Sequence, residues 1–213
     1  MIKHYLFDLD GTLTDPFEGI TNSVVHALKY YGIEVSDKRE LACFIGPPLI
    51  ESFMKYYGLS RDEAVEAVER YREHFGVKGL FENEIYEGVS DMLRRLKESG
   101  KVVIMATSKP EVYARRIAEH FDIAKYFDYM AGSLLEGKRV AKTEVIEYAL
   151  ETLGITEREE CIMIGDRHHD INGARLSGMK SAGCLWGYGS EEELREAGAD
   201  IILRSVEEIL DIK

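Results

Sequence analysis

The chain has 213 residues, with 27 Lys and Arg against 39 Asp and Glu, which gives a formal net charge of −12 at neutral pH. This length allows one large domain, or one domain with a smaller domain inserted into it. Nucleic-acid polymers and anionic membrane surfaces attract clustered Lys and Arg, so the acidic balance argues against partners of both kinds.

The cysteine count and the N-terminal segment indicate a cytoplasmic protein. The three cysteines are odd in number and form no CxxC pair, which argues against a disulfide framework or a zinc site. Free thiols are typical of the reducing cytoplasm. The first residues lack the apolar stretch of a signal peptide, because a carboxylate occurs as early as Asp8.

The N-terminal part of the chain predicts one strand followed by helices only. Residues 4–9 are a short, mostly apolar run of the kind found in strands. Asp15 as capping residue and Pro16 at the first helical position predict a helix, and the capping-box pattern from Ser60 predicts another. Further helices are expected from Ser36 and over 49–57. We therefore expect residues 15–85 to be helical, without a strand.

From residue 88 onward, predicted strands and helices alternate. Strands are predicted over 102–106, 126–131, 161–164, 181–186 and 201–203. Helices are predicted over 88–99, 110–121, 142–153, 170–176, 191–197 and 206–212. This alternation indicates an α/β fold with a doubly wound parallel sheet. The expected domains are an α/β core of residues 1–14 and 87–213 and an all-helical cap inserted over 15–86.

Acidic residues follow two of the predicted strands at the point where each strand ends. Asp8 and Asp10 follow the first strand, and Asp166 and Asp170 follow the apolar run 161–164. In open α/β sheets ligands bind beyond the carboxyl ends of the strands. Because clustered buried carboxylates are costly without a counter-cation, and carboxylate oxygens suit Mg²⁺, the pattern predicts a divalent-metal site.

A hydroxyl, an ammonium group and a glycine complete this pattern. Thr107 ends a predicted strand, and Lys142 begins a helix, although Lys138 and Arg139 nearby are alternatives for the cation. Gly11 allows backbone amides to approach an anion closely. A carboxylate nucleophile, a second carboxylate, a hydroxyl donor, a cation and a metal are the parts that phosphoryl transfer requires.

These residues carry a family resemblance. The sequence DLDGTLTD, from Asp8 to Asp15, resembles the first motif (DxDGT[LV]) of the haloacid dehalogenase-like hydrolase superfamily. Thr107, Lys142 and the segment 165–170 resemble the second, third and fourth motifs, in the family order and over essentially the whole chain. The inserted helical segment is similar to the family's helical cap. The resemblance implies a Rossmann-like core with the cap between the first and second motifs.

The resemblance also implies a role for each matching residue. Asp8 is the nucleophile that forms an aspartyl-phosphate, and Asp10 is the general acid and base, which favours phosphotransfer over dehalogenation. Thr107 donates a hydrogen bond to a phosphoryl oxygen, and Lys142 neutralises charge. The Mg²⁺ ligands implied are the Asp8 carboxylate, the Asp10 backbone carbonyl, Asp166 and Asp170.

Further candidates concern the substrate. The expected substrate-binding residues are Gly11, Thr12, Ser108, Lys109, Glu18 and Pro47. The last two, in the cap, are equally well explained as parts of structural turns. His168 and His169 are expected to have loop or supporting roles, because adjacent side chains diverge.

The predicted function is hydrolysis of a small phosphorylated metabolite. The segments 46–49, 108–110, 165–170 and 186–190 resemble the phosphoglycolate phosphatase-like branch, and in particular members described as 5′-nucleotidase-like. The sequence leaves the physiological substrate and the oligomeric state open. A phosphomutase on the same scaffold, a non-enzymatic phospho-Asp switch and a catalytically silent binding protein are the alternatives.

Overall fold

The computed structural model describes residues 1–213, which divide into two units. The first, here called the α/β unit, comprises Met1–Asp15 and Ile85–Lys213. The second, the helical unit, is the inserted segment Pro16–Glu84. No helix in either unit combines the length and the apolar composition needed to cross a membrane.

Eight strands and eight α-helices make up the regular structure. The strands are β1 (His4–Phe7), β2 (Thr14–Asp15), β3 (Glu84–Ile85), β4 (Val102–Pro110), β5 (Tyr129–Ser133), β6 (Cys161–Gly165), β7 (Lys180–Cys184) and β8 (Ile201–Leu203). The α-helices are α1 (Phe17–Tyr30), α2 (Leu49–Tyr57), α3 (Arg61–His74), α4 (Val89–Glu98), α5 (Glu111–His120), α6 (Lys142–Leu153), α7 (His168–Leu176) and α8 (Glu191–Glu196). The 3₁₀-helices are Lys38–Phe44, Ala124–Tyr126, Arg158–Glu160 and Val206–Asp211, and Phe75–Gly79 is a π-helix.

The main sheet of the α/β unit has six strands in the order β5-β4-β1-β6-β7-β8. All neighbouring pairs are parallel. In β1, Leu6 packs in the apolar cluster beneath α6 and α7, and its neighbours Tyr5 and Phe7 are also buried. A strand that buries consecutive residues in this way is covered on both faces, as parallel sheets are. The predicted doubly wound α/β fold is confirmed.

Helices α6 and α7 pack on the sheet through a continuous apolar core. Val145, Ile146 and Leu150 of α6 are fully buried in this core, together with Ile104 of β4 and Met163 of β6. The buried positions of α6 recur at intervals of one, three and four residues, which is the period of a helix with one apolar face. This packing fixes the N-terminal end of α6 relative to the sheet.

Several predicted elements differ in the structure. The helix expected from Ser36 is the 3₁₀-helix Lys38–Phe44, and the last predicted helix is the 3₁₀-helix Val206–Asp211. The segment predicted to be helical throughout also contributes residues to β2 and β3, which pair as a two-stranded sheet. Strands of two residues are too short to produce an alternating hydrophobic pattern. Asp15 does not cap α1: Pro16 occupies the N-cap position, and that helix start has no side-chain cap.

Within the helical unit, the predicted capping box at α3 is confirmed. The backbone N–H of Ser60 donates to Glu63 Oε2 at 2.8 Å, and the N–H of Glu63 donates to Ser60 Oγ at 3.4 Å. Helix α1 approaches the π-helix very closely at Gly19, where an added Cβ would lie 2.0 Å from the carbonyl oxygen of Gly79. This contact therefore requires glycine.

Candidate active site

The register of the sheet brings three of the predicted motifs to one edge. Phe7 of β1 pairs with Met105 of β4 on one side and with Ile164 of β6 on the other. The residues that follow, including Asp8 and Asp166, therefore lie at the carboxyl edge of the three central strands. The Asp8 backbone N–H donates to the carbonyl of Ile164 at 2.9 Å, which holds this edge together.

Lys142 is the first residue of α6, and its ammonium group is buried among carboxylates. Its Nζ lies 2.9 Å from Asp8 Oδ1 and 2.8 Å from Asp170 Oδ1, and it donates to the carbonyl of Ala106 at 3.0 Å. Burial alone would lower the pKa of Lys142, but the two carboxylates outweigh burial and raise it. Lys142 is therefore a fixed cation at the site. Lys138, an alternative from the sequence, is exposed.

Asp8, Asp166 and Asp170 form an acidic cluster with the character of a metal site. One oxygen of each carboxylate lies within 4.8 Å of the others. Asp8 Oδ1 and Asp170 Oδ1 are buried and accept no hydrogen bond of good geometry, although Lys142 is within ion-pair distance of both. Buried carboxylate oxygens with unused acceptor capacity are the donor set that a hard divalent cation prefers. The cluster therefore fits a metal ion.

The pKa values of the clustered carboxyl groups also favour a bound metal ion. Burial, with the neighbouring Asp170 and Asp8 carboxylates, raises the pKa of Asp166 well above its usual value. Burial also raises the pKa of Asp170, and Asp8 adds to this effect while Lys142 opposes it. A divalent cation would favour the charged carboxylates and so offset both shifts.

Asp10 lies apart from this cluster and pairs with Lys109. Lys109 Nζ donates to Asp10 Oδ2 at 2.6 Å, with only 5% of the lysine side chain and 13% of the aspartate side chain exposed. Burial raises the pKa of Asp10, although Lys109 opposes the shift. Lys109 was predicted to bind substrate, but in the structure its ammonium group is paired with a carboxylate of the protein. The Asp10 carboxylate is not one of the clustered metal-ligand candidates.

The loop after β1 is fitted closely to Asp166. Gly11 has φ +79°, and a Cβ added there would lie 2.2 Å from Asp166 Oδ2, so this position requires glycine for both conformation and space. The hydroxyl of Thr12 is buried and donates to Asp166 Oδ1 at 3.5 Å, a long hydrogen bond. Thr12, predicted to bind substrate, is therefore directed toward the acidic cluster.

Thr107 and Ser108 lie on β4 near its carboxyl end. Thr107 is buried, and its Oγ1 accepts a hydrogen bond from the backbone N–H of Lys109 at 3.2 Å. This contact uses an acceptor site of the hydroxyl and leaves its proton available to a ligand. Ser108 is half-buried.

The two cap candidates belong to the helical unit. Glu18 lies in the first turn of α1 and is exposed, and its carboxylate pairs with Lys38 Nζ at 3.2 Å. Pro47 is half-buried in the loop that precedes α2. Their roles in substrate choice stay predictions.

Sequence reasoning gave no site role to the segment 186–190, which contacts the first motif and the acidic cluster. The backbone N–H of Tyr188 donates to Asp166 Oδ2 at 2.8 Å, and its hydroxyl donates to Asp15 Oδ1. The indole N–H of Trp186 donates to the carbonyl of Thr12 at 3.0 Å. A backbone N–H donor cannot be recognised from the type of its residue. The only signal for this segment in the sequence was therefore the family resemblance of residues 186–190.

The two adjacent histidines also differ from expectation. His168 and His169 begin α7, and their ring centroids are 3.9 Å apart, so the side chains do not diverge. His168 Nδ1 lies 2.7 Å from Glu193 Oε1. His169 is the more exposed of the two side chains, but loss of hydration at its ring, together with the neighbouring His168, lowers its pKa to about 4. Neither imidazole belongs to the acidic cluster.

Comparisons with known proteins agree with this geometry. A 5′-nucleotidase of Pseudomonas aeruginosa is 49% identical over 89% of this chain and 86% of its own length. A crystal structure described as a predicted phosphatase from Clostridium acetobutylicum is 46% identical, with a TM-score of 0.95 over 100% of both chains. The tyrosine-protein kinase PtkA of Mycobacterium tuberculosis is 36% identical over 92% of this chain and 67% of its own length.

The family model described as haloacid dehalogenase-like hydrolase matches residues 5–184, which include every residue of the acidic cluster. The resemblance seen in the four motifs is confirmed, and so is the predicted phosphatase class. The chain belongs to the haloacid dehalogenase-like hydrolase family.

Proposed function

We propose that this protein is a Mg²⁺-dependent phosphatase that hydrolyses a small phosphomonoester through an aspartyl-phosphate on Asp8. The observation that carries the proposal is the position of the Asp8 carboxylate. It lies at the carboxyl edge of the sheet, 2.9 Å from the Lys142 ammonium and beside two further buried carboxylates. A carboxylate attacks phosphorus effectively only where neighbouring positive charge offsets its repulsion by the phosphate.

Asp8 and Lys142 act in the first step. An Asp8 oxygen forms a bond to phosphorus while the bond from phosphorus to the leaving oxygen breaks. Lys142 lowers the electrostatic barrier to this approach, because it is a permanent cation held by Asp8, Asp170 and the Ala106 carbonyl. The Thr107 hydroxyl donates to a phosphoryl oxygen and aligns the group.

Asp10 moves the proton in both steps. Burial raises the pKa of Asp10, so this carboxyl retains a proton more readily than an exposed one. It first gives the proton to the leaving oxygen. It then accepts a proton from the water that attacks the phosphoryl group on Asp8, which releases inorganic phosphate. Lys109, 2.6 Å away, orients the carboxyl.

Asp8, Asp166 and Asp170 would hold the Mg²⁺ ion, together with the Asp10 backbone carbonyl that the family resemblance implies. When bound, Mg²⁺ neutralises charge between the Asp8 carboxylate and the phosphoryl oxygens. Tyr188 and Thr12 support this assignment, because both donate to Asp166 and keep its carboxylate oriented.

Nucleoside 5′-monophosphates are the substrates that we favour. The support is the 49% identity to a 5′-nucleotidase over most of both chains, since fold alone does not identify a substrate. Phosphoglycolate is the competing small substrate from the sequence resemblance. Specificity would depend on the helical unit, where Glu18 and Pro47 are the candidates.

The test is phosphate release by the purified enzyme from nucleoside 5′-monophosphates, phosphoglycolate and p-nitrophenyl phosphate, with Mg²⁺ or with EDTA. We expect Mg²⁺-dependent multiple turnover, with the highest kcat/KM for a nucleoside monophosphate. Asp8→Asn should abolish turnover, while the control Asp62→Asn, an exposed residue of α3, should retain it. Turnover by Asp8→Asn, or in EDTA, would contradict the mechanism. A higher kcat/KM for phosphoglycolate would contradict only the substrate.

The alternative functions give different results in the same assay. A phosphomutase would give no net release of phosphate from the small phosphorylated metabolites. A phospho-Asp switch would retain one phosphate per chain without further turnover.

A further inference from the structure

The loop from Asp166 to Asp170 supplies two of the three clustered carboxylates and leads into the first turn of α7. The Arg167 N–H donates to Asp170 Oδ2 at 3.1 Å, which caps α7 with one of the cluster residues. Both carboxylates therefore depend on the path of this short loop. An interaction that fixes the loop fixes the separation of the two carboxylates.

Glu193 of α8 binds this loop through its Oε1 oxygen. Its Oε1 accepts hydrogen bonds from Arg167 Nε at 2.9 Å, from the His168 backbone N–H at 2.9 Å and from His168 Nδ1 at 2.7 Å. Burial alone would raise the pKa of Glu193, but these donors outweigh burial and lower it to about 2. Charge-assisted hydrogen bonds of this kind are stronger than neutral ones.

The segment between β7 and α8 is shaped to keep Glu193 in this position. Ser190 caps α8, and its Oγ accepts from the Glu193 N–H at 3.1 Å. A Cβ added to Gly189 would lie 1.9 Å from the carbonyl oxygen of Asp166, and one added to Gly187 would lie 2.4 Å from Asp166 Cβ. Glycine at both positions therefore permits direct contact with the backbone and side chain of Asp166.

We propose that Glu193 is a positioning residue for the metal site: by binding Arg167 and His168 it sets the geometry of the Asp166 and Asp170 carboxylates. The proposal rests on the proposed function, which assigns these carboxylates to Mg²⁺. Groups that orient metal ligands from outside the coordination sphere affect metal affinity strongly. Glu193 accepts hydrogen bonds from Arg167 and His168, the two residues that follow Asp166, and can therefore orient the loop in this way.

The test measures the Kd of Mg²⁺ alone, by calorimetry and by the fluorescence of Trp186. This is the only tryptophan in the chain, and its indole donates to Thr12 beside the acidic cluster. Glu193→Ala should raise the Kd of Mg²⁺ by about 10- to 100-fold. Glu193→Gln, which keeps the shape and one acceptor oxygen, should raise the Kd less. The Mg²⁺ concentration that gives half-maximal activity should rise in parallel.

Glu191→Gln is the matched control, because Glu191 lies in the same turn of α8 but pairs with Arg195 and Arg204. Its Kd for Mg²⁺ should equal that of the wild type. Wild-type Mg²⁺ affinity in folded Glu193→Gln and Glu193→Ala would overturn the proposal, even if both variants lose thermal stability. If Glu193→Ala does not fold, Glu193→Gln decides alone. Absence of Mg²⁺ binding in the wild type would instead contradict the metal assignment of the proposed function, and this inference with it.

Discussion

Charged side chains at the carboxyl edge of the main sheet differ in burial from those on helix α3 of the helical unit. At the sheet edge, Lys142 and Asp170 pair at 2.8 Å with 4% and 1% of their side chains exposed. On α3, Arg72 and Glu69 pair at 2.7 Å with 28% and 63% exposed. The distances are almost equal, so the difference lies in the surroundings.

This difference separates the charges to which we assign a chemical role from those of an exposed helix. Exposed pairs form and break in water at little free-energy change, whereas each buried ion has lost its hydration and depends on its partners. A cluster of buried carboxylates around one lysine opposes folding unless every member is compensated. The α/β unit carries such a cluster where a phosphoryl group and a metal would bind, which is consistent with selection for catalysis over stability.

Replacing Lys142 is expected to have the largest effect. Lys142→Met leaves Asp8 and Asp170 buried without their shared cation, so the free energy of unfolding should fall by about 3–5 kcal/mol in EDTA. Phosphatase activity should also be lost. Urea denaturation and phosphate release measure the two effects. Lys138→Met, at an exposed lysine nearby, is the control. Equal losses of stability and activity in both variants would contradict the claim that the buried cation matters more than the exposed one.

Metal removal should produce the next largest effect. On the proposed assignment, Mg²⁺ binds the folded cluster and not the unfolded chain, so Mg²⁺ at 100 times its Kd should stabilise the protein by about 2.7 kcal/mol relative to EDTA. Thermal unfolding with and without Mg²⁺ measures this difference. Asp166→Asn, which removes one carboxylate, should show a much smaller Mg²⁺-dependent rise in Tm. An identical rise in wild type and variant would place the binding site elsewhere.

Glu193 should show an intermediate, pH-dependent effect. Its pKa is lowered from 4.5 to about 2 in the folded protein, so the stabilisation is present above pH 4.5 and is lost as pH falls toward 2. We expect Glu193→Gln to lower the free energy of unfolding by about 1–2 kcal/mol at neutral pH in EDTA. The difference from wild type should shrink below pH 4.5. A difference that is constant down to pH 2 would contradict the low pKa.

The smallest effect is expected on α3. Glu69→Gln breaks the exposed pair with Arg72, and the urea midpoint should stay within measurement error of the wild type. Activity should not change. A destabilisation comparable to that of Lys142→Met would show that burial does not separate the two regions.

Much of the fold was predictable from local pattern. The apolar run at β6 and the alternation after residue 88 predicted a parallel sheet, and the capping box at Ser60 predicted the start of α3. The helix predicted from Ser36 is the 3₁₀-helix Lys38–Phe44, and its type could not be predicted because α- and 3₁₀-helices share similar short apolar spacings. Asp15 was predicted as a helix cap, but its carboxylate accepts a hydrogen bond from Tyr188, far along the chain.

The candidate site likewise contains residues that the sequence predicts and residues that it does not. Asp8, Asp10, Asp166 and Asp170 belong to recognisable motifs, so they could be proposed from the sequence. Glu193 could not, because it follows two other glutamates at the start of α8, where acidic residues are common in any helix. Its contacts with Arg167 and His168 arise only when α8 packs beside the loop after β6. Tyr188 acts through its backbone N–H, which no residue type reveals.

The measurement that tests the central claim most directly is the detection of phosphate on Asp8. Asp10→Asn should still react with p-nitrophenyl phosphate, because nitrophenolate leaves without protonation, but should lack the base that activates water. With Mg²⁺ present, mass spectrometry of the digested protein should then find phosphate on Asp8, and the double variant with Asp8→Asn should carry none. Release of nitrophenol with no phosphate on Asp8, or with phosphate on another residue, would contradict the account.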